Sequence, residues 1–301
     1  MSHDPPAVGP PVPPGAPVAP AAPASAPARQ RWRRWLLAAV AVMWIVALVG
    51  LATVSTRQDG PTVREQRGID EARSVAERAA GHLIAAVGDA GVVVVGAERI
   101  VEGCRITPLR TGAELTRTLT AYTTPTAGPA LLDRIAQRLP ADYAALTRHG
   151  GASGGSRLGA DAGEFVAIRG DVPRPGVVEL RISTGCRPPA EQTPVANQVP
   201  PTSRAQTVIE TFGVDDIELA PTVRVRCPNG GSWHTDVAVG SGPAETAEQA
   251  AQPISPGATV LSDQPPVYVQ WDPTVGGLVV EADGGKIRVT TTSNSVSTAD
   301  C

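Results

Sequence analysis

Two stretches of similar sequence, LIAAVGD at residues 83–89 and VIETFGV at residues 208–214, determine the fold that we predict. Each lies at the end of an amphipathic helical pattern and contains a glycine, and each precedes a β-rich run that ends at a cysteine, Cys104 or Cys227. Glycine commonly follows a helix C-terminus because it tolerates a left-handed backbone. The repeated order of helix, glycine, strands and cysteine predicts a diverged internal duplication.

Each half then closes with a hairpin pattern and a second cysteine. Residues 177–183 lead to Cys186, and residues 286–292 lead towards Cys301. Four cysteines allow three connectivities, and their spacing alone does not choose among them. If each half is one unit, each pair closes its own unit. We therefore expect disulfide bonds Cys104–Cys186 and Cys227–Cys301.

Local patterns predict the elements of each unit. Apolar residues recur three and four positions apart over residues 70–87, and a partner helix follows the potential cap Ser203 and ends before Gly213. Further predicted elements are strands at 92–95, 100–106, 217–219 and 223–227, a helix at 131–139 with only a weak counterpart at 244–252, and a hairpin at 278–291. The predicted fold class is α+β, with two small similar units and mainly antiparallel strands.

The N-terminal arm has a composition unlike that of the rest of the chain. Residues 1–28 hold ten prolines and no aromatic residue, and five of the prolines recur every third position between Pro11 and Pro23. That period is typical of a polyproline II helix. Such a segment buries too little apolar surface to order itself, so we interpret it as a disordered spacer. A ligand for a proline-binding module is the alternative.

Residues 35–54 form a run of 20 residues without a charge, which is the length of one membrane-spanning helix. Four arginines precede the run (Arg29, Arg31, Arg33 and Arg34), whereas only Arg57 follows it closely. The positive-inside rule then places the N-terminus in the cytoplasm and the C-terminus outside, as in a single-pass protein of the plasma membrane. A cleavable signal peptide is the alternative, because Gly50 and Ala52 are small residues at plausible cleavage positions.

The predicted organisation has six parts: a disordered cytoplasmic arm with a basic end (1–34), a transmembrane helix in the lipid bilayer (35–54), a juxtamembrane linker (55–69), a first extracytoplasmic unit (70–188), a linker (189–202) and a second extracytoplasmic unit (203–301). The whole chain carries a net charge of −3, and because residues 1–54 contribute +3, the remainder carries −6. This acidic balance argues against a nucleic-acid partner.

Two serine motifs suggest a hydrolase. Ser153 lies in a G-x-S-x-G sequence just after His149, but that motif needs a preceding strand and a following helix. A helical pattern at 141–148 precedes it and a glycine-rich stretch at 156–163 follows it, so we interpret the region as a linker.

The second motif places Ser232, His234 and Asp236 on one face of a predicted strand. Parallel side chains along one strand rarely come within the hydrogen-bond distance that a catalytic triad needs. We therefore interpret these residues as a polar, solvated face opposite Trp233 and predict no catalytic residue.

Metal and cofactor sites are not predicted either. The four histidines (His3, His82, His149 and His234) lack metal-binding spacing, and no Cys-x-x-Cys pair occurs. The acidic residues Glu210, Asp215 and Asp216 suggest a carboxylate pair for glycoside hydrolysis, but solvated acids are the simpler interpretation. We therefore expect no cofactor.

The layout of the whole chain resembles that of uncharacterised single-pass membrane proteins of actinobacteria, with a Pro/Ala-rich cytoplasmic arm, an Arg/Trp-flanked anchor and a cysteine-bonded exterior. This resemblance implies no activity and assigns no functional residue. We expect a membrane-anchored, non-catalytic protein of the bacterial cell envelope that binds or organises an envelope protein or cell-wall component. An extracytoplasmic serine hydrolase is the alternative.

Overall fold

The computed structural model describes residues 28–58, 68–150, 155–189, 198–253, 255–294 and 301. The chain divides into two units between residues 60 and 61, and we describe each by itself. The first contains helix α1 (Ala28–Gln58). All other described elements belong to the second. The predicted arm at residues 1–27 lies outside the described residues.

Helix α1 covers the apolar run, and its described side chains from Trp35 to Leu51 are all exposed within the chain. Among the residues with a described placement, however, no helix is both long and apolar enough to cross a membrane. The transmembrane helix predicted at residues 35–54 is therefore not supported. The helix that forms also runs through the flanking arginines, so its ends do not coincide with those of the uncharged run.

A seven-stranded antiparallel sheet, the first sheet, is built from the first half of the second unit. Its central strand is β3. Strands β1 and β2 pair with successive segments of one edge of β3, and the meander β7-β6-β5-β4 extends from the other edge. Helices α2 (Ile69–Val87) and α3 (Gly128–Arg138) pack on one face of this sheet. The strands are β1 (Val92–Val95), β2 (Arg99–Thr107), β3 (Arg110–Tyr122), β4 (Leu146–His149), β5 (Ser156–Asp161), β6 (Ala167–Arg174) and β7 (Val177–Arg187).

An eight-stranded antiparallel sheet, the second sheet, is built from the other half. Its strands are β8 (Gln198–Val199), β9 (Asp215–Leu219), β10 (Thr222–Arg226), β11 (Ser232–Ser241), β12 (Thr259–Gln264), β13 (Val267–Asp272), β14 (Gly276–Asp283) and β15 (Lys286–Asn294). Strands β9 and β10 share one edge of β11, and the meander β15-β14-β13-β12 extends from its other edge. Helix α4 (Ser203–Thr211) and a 3₁₀ helix (Ala244–Ala251) pack against this sheet.

The two sheets have the same strand order apart from the added strand β8. Each half begins with a helix, followed by two short strands that pair with one edge of a long strand. A second helix comes next, and a four-stranded meander then returns to the other edge of the long strand. The weak pattern at 244–252 corresponds to the 3₁₀ helix, in the position that α3 occupies in the first half. This shared topology agrees with the predicted duplication.

Both predicted disulfide bonds are confirmed. Cys104 bonds to Cys186 and Cys227 bonds to Cys301, with Cα–Cα distances of 5.8 and 4.7 Å. In the first half, Cys104 follows a bulge in β2 and Cys186 lies near the end of β7, and both strands pair with β3. In the second half, Cys227 directly follows β10, and Cys301 lies beyond the end of β15.

The first sheet lies against the second through β1. Val92, Val93 and Val95 are buried in a core that also contains Trp233, Val269 and Val279 of the second sheet. The Trp233 indole N–H donates to the Val93 carbonyl at 3.0 Å, and the Val95 amide donates to Thr235 Oγ1 at 3.1 Å. Helix α4 and the 3₁₀ helix cover the opposite face of the second sheet. Both faces of its central strands are therefore buried.

The structure corrects two local predictions. The N-cap of α4 is Thr202 and makes no side-chain capping hydrogen bond, so the expected Ser203 cap is wrong. Of the helical pattern at 141–148, only a 3₁₀ helix at Ala141–Tyr143 forms, and β4 follows it. The linker at 156–163 is wrong, because β5 forms there and pairs with β4, from Leu146 opposite Gly159 to His149 opposite Ser156. Pairing with the long neighbouring meander outweighs the weak local helical preference.

Candidate functional site

Four arginines lie on the face of the first sheet that is turned away from its helices. We call Arg148, Arg157, Arg169 and Arg181, on β4, β5, β6 and β7, the arginine face. Arg148 pairs directly with Arg157, and Arg169 pairs directly with Arg181. All four side chains are exposed.

Strand alternation puts these arginines on one face. Successive side chains of a strand point to opposite faces, so the neighbours Leu158, Ile168, Leu180 and Ile182 point towards α2 and α3 and are buried. The charged residues between them must then point to solvent. The signal in the sequence is the alternation of side chains over 167–171 and 178–182. Only the second stretch entered the predictions from the sequence, as part of a hairpin.

The charges on this face are not paired internally. Residues that face each other across antiparallel strands have Cβ atoms about 4.5–5.5 Å apart, where like charges destabilise the sheet. Among the described residues, none of the four arginines forms an ion pair. Asp171 and Glu179 occupy neighbouring cross-strand positions, Asp171 opposite Arg157 and Glu179 opposite Asp171. Asp161, two residues beyond Gly159 on β5, lies on the same face. Strands β4–β7 thus keep an excess of one positive charge on this face.

A groove of about 600 Å³ runs over the same strands. Its walls include Arg148, Arg157, Arg169 and the exposed Leu146. Its floor is open at Gly159, which lies opposite Arg169, because a Cβ atom at this position would meet no heavy atom within 4 Å. The groove is therefore lined by both arginines of the β4–β5 pair and by Arg169 of the β6–β7 pair.

The corresponding face of the second sheet has a different composition and environment. It carries apolar side chains, including Val225, Trp233 and Val269, and it is buried against the first half. In the duplicated fold, one copy uses this face for internal packing while the other leaves it open and charged.

A second polar cluster lies on the helix side of the β4–β5 hairpin. Ser156 Oγ is 2.9 Å from His149 Nδ1, and His149 Nε2 is 3.1 Å from Asp133 Oδ1 on α3. Thr147 Oγ1 donates to the same carboxylate oxygen at 2.6 Å. With the imidazole proton on Nε2, His149 donates to Asp133 and accepts from the Ser156 hydroxyl. These residues form the serine, histidine and aspartate chain that a hydrolase requires, with the two ring nitrogens in reversed roles.

Water reaches this second cluster. The side chains of His149 and Asp133 are 49% and 37% exposed. The hydrogen bond from Thr147, followed by the bond and charge of His149, holds the pKa of Asp133 below its usual value. Because solvent competes for each of these hydrogen bonds, His149 lacks the protected environment of a strong general base.

The serine motifs found in the sequence do not form this cluster. Ser153 lies outside the described residues, whereas His149 contacts Ser156, which the sequence interpretation had assigned to a linker. Ser232 accepts hydrogen bonds from Arg224, at 2.8 Å from Nη2. Asp236 accepts a hydrogen bond from the Thr222 hydroxyl, and Asp236 and Thr222 are both buried. The expected solvated face at 232–236 is therefore wrong, because α4 covers this side of the second sheet.

Two further candidates from the sequence, Glu210 and His82, make contacts that support the fold. Glu210 accepts a hydrogen bond from Gln206 on α4 at 2.9 Å, and His82 makes an edge contact with Tyr143. Within the described ranges, no group of three or more His, Cys, Asp and Glu residues could hold a metal ion.

A buried ion-pair cluster beneath α2 was not predicted from the sequence. Glu98 lies 3.1 Å from both Arg73 Nε and Arg117 Nη2, and the Arg117 side chain is almost fully buried. Burial lowers the pKa of Arg117, and the Glu98 charge opposes that shift. The cluster ties α2 to β3 and opens onto none of the cavities described here, so we assign it a structural role.

Comparisons of the chain with protein-family models, curated proteins and solved structures give no match in any of the three.

Proposed function

We propose that this chain is a non-catalytic protein of the bacterial cell envelope that binds another envelope component through the arginine face. Residues 68–301 would then function outside the cytoplasm. The two disulfide bonds support this location, because disulfides persist in oxidising compartments and are rare in the cytosol.

The proposal includes a cytoplasmic N-terminus and contact of residues 35–54 with the lipid bilayer. Its support is the uncharged sequence, the arginines that precede it, and the exposure of the described apolar side chains of α1. Exposed apolar surface on this scale requires a lipid or protein partner.

One observation carries the binding proposal: the first sheet leaves open a face that the second sheet buries. Like charges that face each other destabilise a sheet, and of the four arginines only Arg157 also faces an acidic residue, Asp171. Binding of a complementary surface neutralises the charges and removes this cost.

A photo-crosslinking experiment tests the binding proposal independently of ligand chemistry. Gly159→p-benzoylphenylalanine places a probe in the groove, where the structure leaves room for a side chain. Gln137→p-benzoylphenylalanine is the matched control, because Gln137 is exposed on α3 at the other face of the sheet. In intact cells, we expect a discrete adduct at position 159 and none at 137. The absence of an adduct at 159, or equal adducts at both positions, would contradict the proposal.

A serine hydrolase remains the second candidate function, and the Ser156–His149–Asp133 chain favours it. In that mechanism, His149 Nδ1 takes the Ser156 proton as Oγ attacks an ester carbonyl, and the proton then passes to the leaving alcohol. A fluorophosphonate probe distinguishes the two functions. The binding proposal predicts no labelling above that of the Ser156→Ala variant, whereas labelling of Ser156 would establish the hydrolase.

A further inference from the structure

We propose that the ligand of the arginine face is an extended acidic polymer whose repeating units carry phosphate or carboxylate groups. This inference rests on the proposed function and specifies the chemical class of its partner.

The side-chain chemistry selects an oxyanion. A guanidinium presents a planar fork of N–H donors that matches a phosphate or carboxylate, and these charge-assisted hydrogen bonds are stronger than neutral ones. Arg169 and Arg181 face each other across β6 and β7, so both can reach an oxyanion held between them. Arg148 and Arg157 face each other in the same way across β4 and β5.

The spacing of the two pairs selects a ligand with repeated charges. The centres of the pairs are two strands apart, or about 9.6 Å, and they are offset by two residues, or about 6.8 Å along the strands. The resulting separation of about 12 Å exceeds the reach of one phosphate or carboxylate. An extended chain with successive anionic groups can contact both pairs.

The groove supplies a path between the pairs. Gly159 leaves the floor open beside Arg169, and the exposed Leu146 adds an apolar contact at the β4 edge. Asp171 and Glu179 continue the cross-strand row of Arg148 and Arg157 onto β6 and β7, where they repel an anion. The favourable path therefore runs from Arg148 and Arg157 over Gly159 to Arg169 and Arg181.

The positive charge that would attract an anionic ligand is confined to the arginine face. Residues 55–301 are acidic overall, so long-range attraction does not bring every polyanion to this surface. Binding requires contact with the arginine pairs themselves and should weaken as salt screens them.

Binding of defined probes to the purified full chain in detergent micelles tests this inference. The probes are inorganic polyphosphate, poly-L-glutamate, orthophosphate and mixed micelles that contain phosphatidylglycerol. The test variant is Arg169→Gln/Arg181→Gln. The control is Arg138→Gln/Arg226→Gln, which removes the same charge from exposed positions outside the arginine face. Retention of the far-ultraviolet circular dichroism spectrum confirms that both variants fold.

We expect polyphosphate and polyglutamate to bind more tightly than orthophosphate, and the test variant to lose on the order of tenfold or more in affinity. The control should bind like the wild type. An equal loss in the control, or equal affinity for orthophosphate and polyphosphate, would overturn the extended-polymer inference. Binding to phosphatidylglycerol that depends on Arg169 and Arg181, without polymer binding, would assign the face to lipid instead.

The crosslinking experiment tests the binding function separately from the chemical class of the ligand. An adduct at position 159 without affinity for either polymer rejects the acidic ligand but retains a binding face. Failure of both experiments rejects the binding function as well.

Discussion

Trp233 links the two halves of the fold through both its ring and its nitrogen. Its side chain is 2% exposed, and its N–H donates to the carbonyl of Val93. From the sequence, Trp233 is recognisable only as one apolar position on a strand. Its partner lies 140 residues away, so no local pattern could reveal the contact.

Replacement of Trp233 tests this contact between the halves. Trp233→Ala leaves a cavity in the shared core and should lower the free energy of unfolding by about 3–5 kcal/mol. Trp233→Phe keeps most of the packing but loses the hydrogen bond, so its effect should be smaller. Urea denaturation with the disulfides intact measures both.

Leu109→Ala is the matched control, because Leu109 is 99% exposed. It should change the free energy of unfolding by no more than about 0.5 kcal/mol. If Trp233→Ala changed the free energy of unfolding as little as Leu109→Ala, the result would contradict a packed contact between the two halves at Trp233.

The positions of glycines with positive φ could be predicted from the sequence. Gly88 and Gly213 follow helices α2 and α4 with φ of 54° and 62°, and Gly284 and Gly285 form the turn of the last hairpin with φ of 57° and 79°. Each follows from the low cost of a left-handed backbone at glycine, which is a local property that the sequence encodes directly.

At the scale of elements, strands β3 and β14 are joined by a polar contact. The Tyr122 hydroxyl donates to Glu281 Oε1 at 3.0 Å, and Arg174 donates to the same oxygen at 3.2 Å. Burial, and then the charge and hydrogen bond of Glu281, raise the pKa of Tyr122 far above its usual value. The hydroxyl therefore stays protonated in the folded chain.

This raised pKa predicts a pH dependence of stability. An unfolded tyrosine ionises near pH 10, so the stabilisation from Tyr122 is complete below that pH and is lost as the pH rises towards the folded pKa. Tyr122→Phe should lower the free energy of unfolding by about 1–3 kcal/mol at pH 8. The difference from the wild type should shrink at pH 11. Urea denaturation at the two pH values measures it, and a constant or growing difference would argue against the contact.

Element prediction failed where pairing outweighed local preference. Strand β5 contains two small residues, Gly159 and Ala160, and the sequence before it is rich in glycine, so this stretch resembles a linker. It becomes a strand because β4 and β6 pair with it on both edges. The arginine face was missed for the same reason, since it exists only once four strands are aligned.

At the scale of the molecule, the duplication was the most informative sequence signal. It predicted both disulfide bonds because each copy closes its own sheet. The packing of the second sheet against the first was not predictable, since equivalent faces of the two copies have different surroundings.

The two disulfides should contribute similarly to stability. Each closes a long loop, with cysteines 82 and 74 positions apart, and loss of a native disulfide commonly costs about 2–5 kcal/mol. We expect comparable decreases in the urea midpoint for Cys104→Ala/Cys186→Ala and Cys227→Ala/Cys301→Ala. A variant that unfolds like the wild type would show that its bond does not constrain the fold.

The central claim is that the duplicated, disulfide-bonded part of the chain functions outside the cytoplasm, and a reporter fusion tests it most directly. Alkaline phosphatase fused after Cys301 requires its own disulfides for activity, whereas green fluorescent protein at the same position serves as the reporter for the cytoplasm. The account predicts an active phosphatase fusion and a dark fluorescent fusion in intact cells. An inactive phosphatase with a bright fluorescent fusion would place residues 68–301 in the cytoplasm and contradict the proposed envelope function.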